Sequence, residues 1–439
     1  MRYETIKSVI LTILALLSIV LTYNLWTYQP AYDTIDNNYI HEISISEKRD
    51  ISDVVRPTLL LFHKYGYHYG TVQPNVIEKF IQMMKKWDLY DWQDLSEELN
   101  SSEFFSLVHG DQRIEIVFPD IVPFDVFNSV ISIDDDSLSN SSFDRLIIEM
   151  NESNKHEADV YFVNYEKRLV IEAHLESPLS YPFLASTWEK AEDYTRYFDY
   201  DVQGIRKLFL PQDALKFSVI KYYTYVINPD KFKLALFSDP SFVTKDLLDQ
   251  GDQYTDGTSM MNVDYQRSLI TYVNPANNRV SFSMLKNGDL LQQTIDFIND
   301  HGGWTDDYLY FGMSPAEQKV SFRLFIDGFP VFNEEGMAEI VEFWGNNEIY
   351  KYVRPFYTLN LPLTAEHITL PSGYEMLDQL VNRPDFELEY LEDVTIGYKM
   401  YRDPQTPKVL IFEPSWYYRY GGSWLRLTSD EEVTNRGLE

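Results

Sequence analysis

Tyr308-Leu-Tyr-Phe-Gly-Met313, then a polar break containing Pro315, then Val320-Ser-Phe-Arg-Leu-Phe325, reads as the two arms of a β-hairpin. Aromatic and β-branched residues in short runs suit a pleated, half-buried surface, and a proline in the break cannot donate to a ladder. The same form occurs twice more, as Tyr222-Tyr-Thr-Tyr-Val226 with Phe232-Lys-Leu-Ala-Leu-Phe237, and as Val394-Thr-Ile-Gly-Tyr-Lys-Met400 with Val409-Leu-Ile-Phe412. Between hairpins, Leu269-Ile-Thr-Tyr-Val-Asn-Pro275 answers Ile349-Tyr-Lys-Tyr-Val-Arg-Pro355, and a short helix follows each. Leu291, Ile295 and Ile298 mark the first helix at i, i+4 and i+7, with Gly302-Gly303 as its stop. Ser372 and Glu375 form a capping box ahead of Met376, Leu377, Leu380 and Val381 in the second. The copies lie about 80 to 90 residues apart, too far for a solenoid repeat. The pattern predicts an α+β fold in which residues 211–330 and 331–439 are tandem sheet-plus-helix domains.

The first half lacks this pattern. Residues 51–63 and 65–72 read as extended, and Asn75 reads as the cap of a helix whose apolar face is Ile77, Phe80, Ile81, Met84 and Trp87. Strands are expected at 113–118 and 159–175, a polar loop at 129–154, and a helix at about 187–198. Together these define a third domain at 30–210, so the body consists of three domains of antiparallel sheets with covering helices.

Ahead of the body, residues 8–26, SVILTILALLSIVLTYNLW, carry no formal charge. A hydrocarbon core of about 30 Å needs roughly 20 apolar residues at helical rise, so this run is long enough to cross once. A cleaved signal peptide would have a shorter apolar core and a small-residue cleavage site, and neither is present. Arg2 and Lys7 precede the run while Asp33 and Asp36 follow it, which places the N-terminus in the cytoplasm and the body outside. Residues 1–29 are therefore expected to be a tail and single-pass transmembrane anchor in the cell membrane. Ser8, Thr12, Ala15, Ser18 and Thr22 form one stripe of small groups, where a partner helix could pack closely.

Composition narrows the function. With 68 acidic and 37 basic residues the net charge is −31, which repels nucleic acid. No cysteine is present, which removes disulfides, thiolate nucleophiles and Cys-ligated zinc. Ser218-Val-Ile-Lys221 and Ser283-Met-Leu-Lys286 fit an S-x-x-K pattern, but that chemistry needs a helix start, and both fall in an expected strand or loop. The eight histidines show no H-E-x-x-H. His63 and His68, five apart in extended chain, are expected on opposite faces as structural residues. Asp134-Asp-Asp136 lacks the glycine and glutamate of an EF-hand, and Gly421-Gly422 reads as a hairpin turn. No catalytic, cofactor or metal residue is expected, and the protein is read as not an enzyme.

Several stretches resemble one family. They are Leu21-Thr-Tyr-Asn-Leu-Trp-Thr-Tyr-Gln-Pro-Ala-Tyr32, Val55-Arg-Pro-Thr-Leu-Leu-Leu-Phe-His63, Leu236-Phe-Ser-Asp-Pro-Ser241, Tyr254-Thr-Asp-Gly-Thr-Ser-Met260 and Glu413-Pro-Ser-Trp-Tyr-Tyr-Arg-Tyr-Gly-Gly-Ser-Trp424. Together they resemble the YycH (WalH) family nearly end to end. The resemblance implies a non-enzymatic, membrane-anchored extracytoplasmic regulator of the YycG (WalK) sensor histidine kinase. It also implies a YycI (WalI)-like accessory partner and a role in cell-wall homeostasis. An anchored enzyme acting on wall polymer, or a structural adaptor, is the alternative.

Overall fold

Residues 59–211 form a nine-stranded sheet in which every pairing is antiparallel. Its strands are β1 (Leu59–Lys64), β2 (Tyr67–Thr71), β3 (Leu89–Asp94), β4 (Arg113–Pro123), β5 (Ser142–Glu149), β6 (Glu157–Asn164), β7 (Leu169–Glu176), β8 (Thr195–Val202) and β9 (Arg206–Pro211), in the order β3-β7-β6-β5-β4-β1-β2-β8-β9. The computed structural model describes residues 45–133, 135–150, 157–176, 181–277, 284–345, 348–384 and 386–428, together with 7, 11, 14–18, 21 and 22.

Both faces of this sheet are covered, and the period-2 alternation of the strands explains how. Leu146, Ile148, Val160 and Phe162 join the main core with helix α1 (Pro74–Met84), which contributes Ile77, Phe80, Ile81 and Met84. Ile147, Tyr161 and Val163 point the other way, onto Phe104 and Val108 of helix α2 (Ser101–His109). Asn100 and Glu103 close a reciprocal capping box at the start of α2.

The second sheet has fourteen strands. In spatial order it runs Thr244–Leu248, Gly251–Thr255, Met260–Asp264, Leu269–Val273, Ile349–Pro355, Glu339–Trp344, Lys319–Ile326, Phe329–Phe332, Leu391–Arg402, Val409–Tyr420, Leu215–Val226 and Tyr357–Leu370. Tyr308–Ser314 pairs with Lys319–Ile326, and Ser423–Arg426 with Val409–Tyr420. Helices α3 (Pro229–Leu236), α4 (Asn287–Asp300) and α5 (Gly373–Val381) accompany this sheet. Leu291, Ile295 and Ile298 of α4 are buried, and the Ser372–Glu375 capping box starts α5. Met376, Leu377 and Leu380 of α5 pack with Leu208 and Leu210 of the first sheet. A Cβ on Gly373 would lie 2.6 Å from Leu210 Cβ, so only glycine allows this approach. One apolar core, from Val54 to Phe412, continues through both sheets.

Several expectations are corrected. Phe232 to Leu236 lies in helix α3 rather than in a strand, because Asn228 caps it and Pro229 at its first turn presets the helical φ. The loop expected at 129–154 contains β5, whose Phe143, Leu146, Ile147 and Ile148 are buried, and Asp134 falls outside the described residues. Residues 51–54 form a short helix. Asn75 sits inside α1, which begins at Pro74 with Gln73 as the cap. The helix expected at 187–198 is Tyr181–Glu189, and β8 follows it from Thr195.

The chain divides into two compact units, Met1–His41 and Glu42–Glu439. In the first, the described residues 7, 11, 14–18, 21 and 22 are helical, with Leu11, Leu14, Leu16, Leu17 and Leu21 exposed. No helix among the described residues is long and apolar enough to cross a membrane, and most of 8–26 lies outside them.

Candidate functional site

The centre of the first sheet contains a buried polar cluster. The β1–β2 connection is a two-residue turn in which Tyr65 (φ 54°) and Gly66 (φ 76°) are both left-handed, the geometry of a tight hairpin. It sets His63 directly across from His68. The two side chains therefore share a face, contrary to the expectation from linear spacing, and their Nδ1 atoms lie 2.7 Å apart. The Tyr-Gly pair was the signal that could have revealed this from sequence. Glu115 on β4 is fully buried and takes His63 Nε2 at 3.0 Å and His109 Nδ1 at 2.9 Å on one carboxylate oxygen. The Arg145 guanidinium of β5 pairs with the other oxygen and lies 3.9 Å from the Tyr165 ring.

These contacts admit a consistent proton arrangement. The Glu115 carboxylate only accepts, so His63 Nε2–H and His109 Nδ1–H donate to it. His63 Nδ1 then accepts from His68 Nδ1–H, and His109 Nε2 accepts from the Tyr165 hydroxyl at 2.9 Å. The Tyr165 oxygen accepts in turn from the Lys207 backbone N–H at 2.9 Å. The three imidazoles are thus held by Glu115, Tyr165 and one another around one carboxylate–guanidinium pair, with Arg145 Nε the buried atom left without a hydrogen bond.

The electrostatics agree. Burial alone would push the Glu115 carboxyl up, but His109, Arg145 and the two histidine hydrogen bonds outweigh it and hold the group well below the usual range. Burial lowers His109, and burial with neighbouring His63 lowers His68 to about 4. His63, His109 and Glu115 are the one histidine–carboxylate group among the described residues with metal-ligand spacing. Tetrahedral zinc at about 2.0–2.2 Å holds its ligand atoms roughly 3.3 Å apart and requires their protons to leave. Here both nitrogens lie closer than that to the same oxygen, and Arg145 already supplies the positive charge. The arrangement fits a hydrogen-bonded structural centre, closed to substrate.

A second feature is open. A cleft of about 1160 Å³ is lined by residues of the second sheet, with Asp120 of β4 at one side. Arg323 lies 4.3 Å from both the Phe311 and Phe332 rings, pairs with Glu339 and donates to the Val331 carbonyl at 3.0 Å. Tyr417 stacks on Phe332 at 3.8 Å, and Trp424 completes the aromatic wall. Asp120 accepts from Met313 N–H at 2.9 Å, and burial raises its carboxyl. No histidine lines the cleft, so it holds no serine–histidine pair.

Such a pair occurs elsewhere: Ser218 Oγ lies 3.1 Å from His367 Nδ1, as cross-strand neighbours on an exposed edge. Lys221 shares Ser218's strand, where an S-x-x-K serine cannot work. Ser283 lies outside the described residues. Of the helix-packing stripe, Ser8 and Thr12 also lie outside them, while Ala15, Ser18 and Thr22 are helical and exposed. The Thr22 hydroxyl donates to the Ser18 carbonyl at 2.8 Å, which hides part of its polarity.

Comparison with known proteins follows the two halves of the fold. The family described as YycH protein, N-terminal domain, matches residues 4–180, and YycH protein, C-terminal domain, matches residues 205–432. The two-component system WalR/WalK regulatory protein YycH of Bacillus subtilis (strain 168) is 26% identical, over 100% of both chains. The crystal structure of YycH from Bacillus subtilis superposes with a TM-score of 0.76 at 25% identity, covering 88% of this chain and 100% of that one. Matched by family through both halves of its length, this chain belongs to the YycH family.

Proposed function

We propose that this protein is a membrane-anchored, extracytoplasmic regulator of a WalK-type sensor histidine kinase, without catalysis of its own. The observation that carries this reading is the full-length relation to a protein named as a WalR/WalK regulatory protein. Three features support it. The uncharged run at 8–26 is long enough for one crossing, and the flanking charges orient the body outward. His63 and His109 of the buried cluster are committed to Glu115 and Tyr165 rather than to a substrate. The acidic surface disfavours nucleic acid.

The anchor acts in this reading through the stripe Ser8, Thr12, Ala15, Ser18 and Thr22, packing on a kinase helix or on the anchor of a YycI-like partner. The body is three domains, 30–210, 211–330 and 331–439, the last two copies of one unit. In chain order, Leu269–Val273, α4 and the hairpin 308–326 answer Ile349–Pro355, α5 and the hairpin 391–420.

Depletion of the protein in its own cells, followed by measurement of kinase autophosphorylation, tests the function. Kinase output is expected to shift on depletion, and to remain shifted when the chain is restored with Ala15 and Ser18 changed to Leu at normal abundance. Unchanged output on depletion would refute the regulatory reading. Full rescue by the altered anchor would confine regulation to the body.

A further inference from the structure

The open cleft carries a charge balance opposite to that of the rest of the protein. Seven of its lining residues are Lys or Arg and five are Asp or Glu, against 37 and 68 in the whole chain. Glu339 is engaged by Arg323 and Asp120 by backbone donors. Of the lining cations, Arg323 and Arg419 pair with Glu339 and Glu392, whereas the hydrogen-bond acceptors of Arg383 and Arg402 are neutral. Arg383 donates to the Tyr418 hydroxyl and the Thr428 carbonyl, and Arg402 to the Gln266 and Pro407 carbonyls and the Ser268 hydroxyl. Lys399 lies over the Tyr401 ring. In a chain with so many surplus carboxylates, cations left with neutral acceptors in a concave site are complementary to an external anion.

Two further observations define that anion. Phe311 and Trp424, both half-buried with ring centroids 5.9 Å apart, line the same cleft, so the occupant also presents apolar surface. The strand Ser423–Arg426, all four of whose residues line the cleft, pairs along one edge with Val409–Tyr420 and has no second pairing among the described residues. A strand edge beside a pocket for alternate side chains is the arrangement that receives an extended peptide by strand addition.

We infer that this cleft binds an extended acidic segment of a partner protein, its carboxylates facing Arg383, Lys399 and Arg402 and its apolar side chains on Phe311 and Trp424. The inference rests on the regulatory reading only for the occupant's being a protein. Its test reads binding alone, so its failure leaves the kinase experiment standing.

Full-length protein in a lipid nanodisc is titrated with three synthetic probes: a twelve-residue peptide alternating Glu with Phe and Val, the same peptide with Lys for Glu, and a glucuronate-containing disaccharide. The acidic peptide alone is expected to bind, and more weakly as salt rises. Lys399→Glu is expected to weaken it about tenfold. Trp424→Ala is also expected to weaken it, while Lys86→Glu in the exposed turn after α1 leaves it unchanged. Circular dichroism establishes that each variant is folded. Equal binding of the basic peptide, no binding of the acidic one at millimolar concentration, or undiminished affinity in both cleft variants would overturn the inference. Binding of the disaccharide in place of the peptide would overturn it in favour of a glycan site.

Discussion

Glu115 in the first sheet and Glu342 in the second are both shut off from solvent, and their surroundings push their carboxyls in opposite directions. Glu115 receives two imidazole N–H groups and the Arg145 guanidinium, and is held ionised. Glu342 receives one indole N–H, from Trp344 at 3.1 Å, and its other oxygen has no partner. Burial therefore dominates and pushes its carboxyl well above the normal range. The nearest cation in effect, Arg354, is itself fully buried and donates to the Gly303 carbonyl and the Tyr352 hydroxyl instead. Burial alone does not decide whether a carboxyl is charged; the number and charge of its donors do. The first sheet thus has a locked ionic centre. In the second, several cations meet only neutral acceptors beside an open cleft.

The comparison is broken or sharpened first by paired substitutions. Glu115→Gln keeps the shape but leaves the Arg145 guanidinium with only the longer contact to Asp144 at 3.5 Å, and is expected to destabilise the protein by about 3 kcal/mol. Glu342→Gln keeps the shape and breaks no ion pair, and should cost less than about 1 kcal/mol. Urea unfolding of both variants measures the gap, and equal losses would show that the two glutamates carry the same charge.

A smaller effect concerns pH. His68 titrates near 4 in the folded protein, while an unfolded histidine titrates near 6.5. Between those values the unfolded chain binds the extra proton, so this group's stabilisation is present above about pH 6.5 and lost as pH falls toward 4. With discount for its partial exposure, the loss is about 1–2 kcal/mol. Asp306, raised to about 7 by burial, slopes the other way, so the wild-type curve alone does not isolate His68. The readout is a difference: His68→Gln should lose less stability than wild type between pH 6.5 and 4.5. Parallel curves would contradict the assignment.

Much of this architecture could be read before the coordinates. The hairpins around 308–325 and 394–412 form as their alternation implies, α4 buries Leu291, Ile295 and Ile298, and the Gly421-Gly422 turn joins Tyr420 to Ser423. These signals are local. The misread segments were those in which local chemistry competed. Phe232 to Leu236 alternates like a strand, but Asn228 and Pro229 start a helix. Residues 142–149 are polar at both ends and buried between. The histidine centre was hidden because Glu115, Arg145 and Tyr165 join it from three separate elements, which no spacing rule connects. The cleft likewise depends on long-range pairing. The family resemblance was legible because its motifs are distributed along nearly the entire chain.

The central claim is that this chain regulates a kinase by contact rather than by chemistry. Its most direct test is co-reconstitution of the full-length chain with a WalK-type kinase from the same membrane in one bilayer, with autophosphorylation followed over time. The account predicts a rate changed about fivefold or more by the intact chain. An unchanged rate with both proteins in the same bilayer at saturating ratio would contradict it.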